Sequence, residues 1–156
     1  MNSFDMAAET AKRHFLPAAE GAPYFNCAES VLLAGAETLG LVSDAVPRIA
    51  TAFGGGLSRQ GHVCGALAGG LMVIGLAEGR SKNTESRDPS YQAGEELQRR
   101  FRAAHGALTC RELTGCDLST REGQDRFKAT NQNDQCCLFV AMAATTAVEL
   151  VNKPHS

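Results

Sequence analysis

The sequence predicts an all-α fold, a compact bundle of five to seven helices around a buried Gly/Ala-rich central helix. Three observations point that way. No segment alternates apolar and polar residues as a half-buried strand does. Apolar residues instead recur at three- and four-residue spacing, with capping signals before them and glycine or proline after. One segment, Val63 to Ala77, is apolar on every side, as a helix enclosed by others must be. With 156 residues and 44% hydrophobic content, the chain suffices for a single domain with a proper core. Trp is absent, aromatics make up 6% and glycine occurs 16 times, so that core depends on close backbone approach more than on bulky side chains.

The first helix runs from about Asp5 to Phe15 and stops before Pro17. Gly21 and Pro23 turn the loop from Ala18 to Phe25. The second helix opens at Asn26, which forms a capping box with Glu29, and ends at Gly40; Cys27, Val31 and Ala34 share one face. Asp44 is placed to cap a short helix through Phe53, with Pro47 in its first turn, where a missing N–H costs nothing. Gly54, Gly55 and Gly56 break that helix. The central helix starts between Gly61 and Cys64 and ends near Gly79. Gly65, Gly69, Gly70 and Gly75 lie inside it, each costing up to about 1 kcal/mol relative to alanine. Close packing of other helices, or of a cofactor, on a nearly bare backbone must offset that loss.

Arg80 to Ser90 reads as an exposed loop. Tyr91 to His105 is an amphipathic surface helix with Leu97, Phe101 and Ala104 inward, and with Glu95 and Glu96 paired to Arg99 and Arg100 outside. A short helix from Cys110 ends at Gly115. Ser119 and Glu122 form a further capping box before a polar segment. The last helix, from about Asp134 to Val151, aligns Cys136, Val140, Ala143, Ala147 and Leu150 on one stripe.

Composition narrows the function. A net charge of −2 with scattered basic residues argues against nucleic acid and against an anionic membrane surface, since both need a basic patch. The N-terminal MNSFDMAAETAKRHFL lacks the basic cap and apolar run of a secretory signal. The longest apolar run, about 15 residues, falls short of the roughly 20 that cross a bilayer. The expectation is a cytoplasmic protein without membrane insertion. In a reducing compartment, six cysteines are catalytic, metal-binding or buried rather than disulfide-bonded.

Four of the six fall at helix starts. Cys27 follows Asn26, Cys110 follows Thr109 with Glu112 three residues beyond the cap, Cys64 opens the glycine-studded helix, and Cys136 follows the capping candidates Asn133 and Asp134. A helix N-terminus offers unpaired N–H groups and a partial positive charge, which favour thiolate over thiol. One free cysteine is simply a small buried hydrophobe; four at such positions point to sulfur chemistry. No CxxC pair is present, so zinc-ribbon and thioredoxin-type motifs are excluded, and any site is assembled from distant segments. Two chemistries use converging helix N-termini: dithiol–disulfide exchange, and a thiolate-ligated iron–sulfur cluster or other soft metal. Gly65, Gly69 and His62 are the candidate cofactor contacts beside Cys64. His62 would serve as proton shuttle or spare ligand, against the plainer reading of a surface histidine. Cys137 points about 100° away from Cys136 on a helix and aligns with core alanines, so Cys136 is favoured as the fourth site cysteine. Cys116, Glu29, His14, His105 and His155 read as structural or incidental. Gly54 to Gly56 lacks the GK[ST] ending and preceding strand of a phosphate loop.

The segments NCAES (Asn26 to Ser30), FGGGLSRQGHVCGALAGG (Phe53 to Gly70) and CRELTGCDL (Cys110 to Leu118), with the late Cys136, resemble the redox-active protein family named for its C_GCAxxG_C_C cysteine pattern. The resemblance covers roughly residues 25 to 150. It departs at His62-Val63, which precede Cys64 where the family name places glycine, and the doubled Cys136-Cys137 leaves the fourth family cysteine open. It implies a small helical protein with a cysteine-based redox role. A similar region in split-Soret cytochromes implies an iron–sulfur centre, whereas a haem does not carry over, because no CxxCH is present. The expected protein is therefore a thiol-dependent oxidoreductase or electron-transfer protein in which Cys27, Cys64, Cys110 and Cys136 converge. It would have a redox partner protein and form a homodimer through Gly/Ala-rich faces. The alternative is a non-catalytic, partner-binding helical protein whose cysteines belong to the core.

Overall fold

The computed structural model describes residues 1–152. Among these, seven α-helices and one 3-10 helix form, with no strand. The α-helices are α1 (Ser3–Phe15), α2 (Cys27–Leu39), α3 (Gly65–Glu78), α4 (Asp88–His105), α5 (Cys110–Thr114), α6 (Arg121–Ala129) and α7 (Gln132–Val151); the 3-10 helix is Arg48–Phe53.

Side-chain caps set most of the starts. Asn2 accepts the Asp5 N–H at 2.9 Å and opens α1. At α2 the capping box is complete: Asn26 Oδ1 accepts from Glu29 N at 2.9 Å, and Glu29 Oε1 accepts from Asn26 N at 3.0 Å. Thr109 accepts from Glu112 N at 3.2 Å and opens α5. Each bond satisfies a donor that helix geometry orphans.

Five boundaries differ from the sequence reading. Helix α1 begins at Ser3 rather than Asp5, directly after the Asn2 cap. Residue 44 caps nothing; Ser43 bonds the Ala45 N–H, and the chain forms a 3-10 helix only from Arg48. Helix α4 begins at Asp88 rather than Tyr91, with Pro89 in its first turn, where proline needs no hydrogen-bond acceptor. The cap of α6 is Thr120, one residue later than expected, bonded to Gly123 N at 2.9 Å, because Ser119 is occupied by Asp117. Helix α7 starts at Gln132 after Asn131 in a left-handed conformation, with no side-chain cap. On α4, Ala104 is exposed while Gly94 is buried with Leu97 and Phe101.

Helix α1 packs on α2 and α7, α2 on α3 and α7, and α4 on α3 and α7. Helix α7 thus touches α1, α2, α3, α4 and α6. It is the one helix among the described residues long and apolar enough to cross a membrane by those measures alone, yet its Val140, Ala143, Ala147 and Val148 are fully enclosed by protein. Leu32, Leu67, Ile74, Leu97 and Phe101 complete the packed interior, each contributing about 1.5–3 kcal/mol by leaving water. Glycine permits the closest crossing: a Cβ on Gly69 would stand 2.6 Å from the Ala28 carbonyl oxygen and 2.9 Å from Val31 Cβ. Across the surface, Glu96 holds Arg99 and Arg100 at 2.7 Å each, and Arg100 reaches Glu149 of α7 at 3.2 Å.

Candidate functional site

Cys27 is the first residue of α2, Cys64 the N-cap of α3 and Cys110 the first residue of α5. Cys136 lies one turn inside α7, further along than the sequence suggested. The four come from four separate elements, and all line one cavity of about 140 Å³. Phe15, Phe139, Leu113 and Leu118 supply apolar walls, and Tyr24 and Asn133 also border it. None of the six cysteines is in a disulfide.

Backbone, rather than side chains, sets the spacing of two of them. Val63 and Thr109 form an isolated antiparallel bridge. Within it the Cys64 N–H donates to Leu108 O at 2.8 Å, and the Cys110 N–H donates to His62 O at 2.7 Å. The preceding loop is a run of left-handed residues, with φ of 68° at Gly55, 73° at Gly56, 63° at Leu57, 54° at Ser58 and 66° at Arg59. An L-residue in that region costs about 1–2 kcal/mol, and such strain clusters at functional sites. The strained turn places Gly56 against Cys110, where a Cβ would lie 2.7 Å from Cys110 Cβ and from the His62 backbone. It also directs the Gly55 N–H at the Cys27 sulfur, which the N–H groups of Ala28 and Ala66 face as well. A Cβ on Gly65 would overlap that same sulfur. The glycines of the FGGG and CG segments therefore make room for sulfur and bring N–H groups to it.

The electrostatics reverse one expectation. Helix starts were expected to favour thiolates, but burial wins. Desolvation is the largest influence on every one of the four, and it raises them all: Cys64 to about 12, Cys110 to about 11, and Cys27 and Cys136 upward as well. The N–H groups pull the other way without prevailing. Mutual repulsion between prospective thiolates adds to the rise at Cys64, Cys110 and Cys136. In the metal-free protein these are neutral thiols at physiological pH.

The other candidates sort clearly. Cys137 does not line the cavity; it senses Lys12 and Glu9 of α1 and Asp134 of its own helix, so Cys136 is the cysteine turned toward the other three. Cys116 is 2% exposed and its thiol donates to Thr114 O at 3.4 Å. His62 is exposed and lies outside the cavity lining, and its carbonyl and N–H serve the loop. Gly65 lines the cavity, whereas Gly69 packs on α2 instead. Glu29 is a cap that also accepts from Thr51 at 2.9 Å. His14 pairs with Glu37 at 3.2 Å. The ring of His105 stacks edge-on against Phe101 and Phe139, with Nε2 buried and without a hydrogen bond. His155 lies outside the described residues.

Among the described residues no group of three or more His, Cys, Asp or Glu side chains is arranged to hold a single metal ion. Cys27, Cys64, Cys110 and Cys136 are the side chains around the cavity that commonly bind metals, and such a thiol set suits soft metals and iron–sulfur clusters. The cavity volume of about 140 Å³ is below the roughly 300–1,000 Å³ of organic-ligand pockets. Sequence reasoning treated Gly54 to Gly56 only as a helix break and missed the left-handed turn. It also missed the aromatic walls, because Phe15, Phe127 and Phe139 lie on three different helices and only packing brings them together.

No curated protein and no solved structure matches the chain significantly. Over residues 25–150, however, it matches the family described as "Putative redox-active protein (C_GCAxxG_C_C)". With most of its length matched and the pattern cysteines gathered around one cavity, the chain belongs to the C_GCAxxG_C_C redox-active protein family.

Proposed function

We propose that this is a cysteine-based redox protein in which Cys27, Cys64, Cys110 and Cys136 ligate an iron–sulfur cluster. The observation that carries the reading is that sulfurs from four separate elements line one small cavity. The raised thiols favour a cluster over dithiol exchange, because a neutral thiol is a poor nucleophile whereas a bound cation deprotonates a coordinating thiol outright. Four sulfurs bordering a cavity of about 140 Å³ suit a centre several atoms wide, whereas a tetrahedral zinc draws sulfurs to about 2.3 Å from one point.

When bound, the cluster would supply one-electron chemistry at a potential set by its hydrogen bonds and solvent exposure. The chain's own contribution is to orient and shield. Gly55, Ala28 and Ala66 direct N–H groups at the Cys27 sulfur, and Ala66 and Leu67 do so at Cys64. Phe15, Phe139 and Leu118 keep water away. Together these groups would stabilise negative charge on sulfur and limit solvent reorganisation. An electron would leave or enter through a partner protein, and the setting proposed is the cytoplasm.

The test is iron, acid-labile sulfide and visible absorption on protein purified without oxygen. Cys27→Ser, Cys64→Ser, Cys110→Ser and Cys136→Ser should each lose the absorption; Cys116→Ser and Cys137→Ser should keep it. Absence of iron and sulfide, with rapid labelling of one thiol and a mixed disulfide trapped by one Ser variant, would replace the proposal with dithiol exchange. Absence of both would leave core cysteines in a partner-binding protein.

A further inference from the structure

We propose that the exposed face of α4 is a self-complementary surface that pairs antiparallel with α4 of a second copy of this chain. The proposal is independent of the chemistry at the cysteines. Tyr91, Glu95, Gln98 and Arg102 follow one another at spacings of four, three and four residues, so they occupy a single stripe of the helix. That stripe lines a surface groove of about 810 Å³, which Leu71 of α3 and Leu108 also border. Ala103 lies exposed along the same groove, while Gly94 is buried at its floor beside Leu71.

The order of residues along this stripe specifies the occupant. Two α4 helices crossing antiparallel about a twofold axis between positions 98 and 99 set Glu95 of one chain against Arg102 of the other, twice. The same register sets Gln98 against Arg99. A twofold interface requires this arrangement, in which one patch complements itself. The charges are also available: among the described residues neither Glu95 nor Arg102 has a side-chain hydrogen bond or ion pair, in contrast to Glu96, Arg99 and Arg100 on the adjoining face. Tyr91 is 63% exposed at one end of the stripe, an aromatic of the kind enriched at interfaces.

The experiment is sedimentation equilibrium of the full chain and three variants, with circular dichroism to verify folding. The wild type should be a dimer. Glu95→Arg and Arg102→Glu each place like charges in contact at both ends of the crossing, and each should raise the dimer dissociation constant on the order of a hundredfold. Mixed together, those two variants should associate again, since every facing pair is then of opposite sign. Ala103→Arg, which adds bulk and charge next to Arg102 on the exposed face, should also dissociate the dimer. A monomeric wild type would overturn the proposal, and so would a dimer whose affinity none of the three substitutions changes. Failure of the two charge variants to associate when mixed would show that the paired register is wrong.

Discussion

Three of the four glycines of α3 have three different surroundings, which makes them an internal test of the site. An added Cβ at Gly75 has nothing within 4 Å, and the residue is exposed. Gly75→Ala should therefore stabilise the protein by about 0.5–1 kcal/mol through helix propensity alone. At Gly69 the same gain is opposed by contacts of 2.6 Å to Ala28 O and 2.9 Å to Val31 Cβ. Overpacking of that kind costs about 1–3 kcal/mol, so Gly69→Ala should lose stability on balance. At Gly65 the obstruction is the Cys27 sulfur itself, with Phe53 O a further 2.9 Å contact. Gly65→Ala should lose about 1–2 kcal/mol net and also drive the sulfur from its place. Urea denaturation gives the stabilities, and iron content with visible absorption reports the thiolates. The expected pattern is a rise for Gly75→Ala, a fall with the chromophore retained for Gly69→Ala, and a fall with the chromophore lost for Gly65→Ala. A Gly65→Ala protein as stable as Gly75→Ala and carrying its full cofactor would refute the claim that this glycine exists for the sulfur.

The metal-free, reduced protein should be alkylated slowly at Cys64 and Cys110, and the rate should keep climbing with pH beyond 9, because these thiols are raised to about 12 and about 11; a rate that levels off near pH 8 in iodoacetamide kinetics would contradict the burial argument. By the same linkage, stability is unaffected by these thiols below pH 9 and declines above it, where the unfolded chain releases protons that the folded chain retains. Burial lowers His105 below its ordinary 6.5, so the unfolded chain takes up that proton first and stability falls as pH drops through about 6.5. His105→Phe should lessen the loss in Tm between pH 7 and pH 5, and an unchanged loss would remove His105 as its cause. Arg59, exposed with φ at 66°, should gain about 1 kcal/mol on replacement by glycine, measured by denaturation; a loss would mean its side chain supports the turn.

The helical class and the positions of three site cysteines were legible because local chemistry dictates them. Asn26 with Glu29, and Thr109 with Glu112, form caps through bonds only three residues apart, so the starts of α2 and α5 follow from adjacent letters. Thr120 displaced Ser119 as a cap because Ser119 is held by Asp117, a competition among neighbours that spacing does not reveal. The left-handed run from Gly55 to Arg59 was illegible for a different reason: Leu, Ser and Arg disfavour that conformation, and packing around Cys27 and Cys110 imposes it. The thiol shifts were misread in sign, since a helix terminus is local while desolvation depends on everything that closes over the sulfur, including Phe15 and Phe139 from opposite ends of the chain.

The bridge between Val63 and Thr109 gives the cavity a mechanical asymmetry. Cys64 is pinned to Leu108 and Cys110 to His62 by backbone hydrogen bonds of 2.8 and 2.7 Å, so they behave as one fixed jaw. Cys27 and Cys136 ride on α2 and α7, which meet through side chains, and form the compliant jaw. With the proposed cluster bound, swelling or contraction of the site would be taken up by small slides of α2 against α7, while the opposite side acts as an anvil. Amide hydrogen exchange at Cys64 and Cys110 should remain slow whatever the oxidation state, and the breathing of the site should register on the first turn of α2.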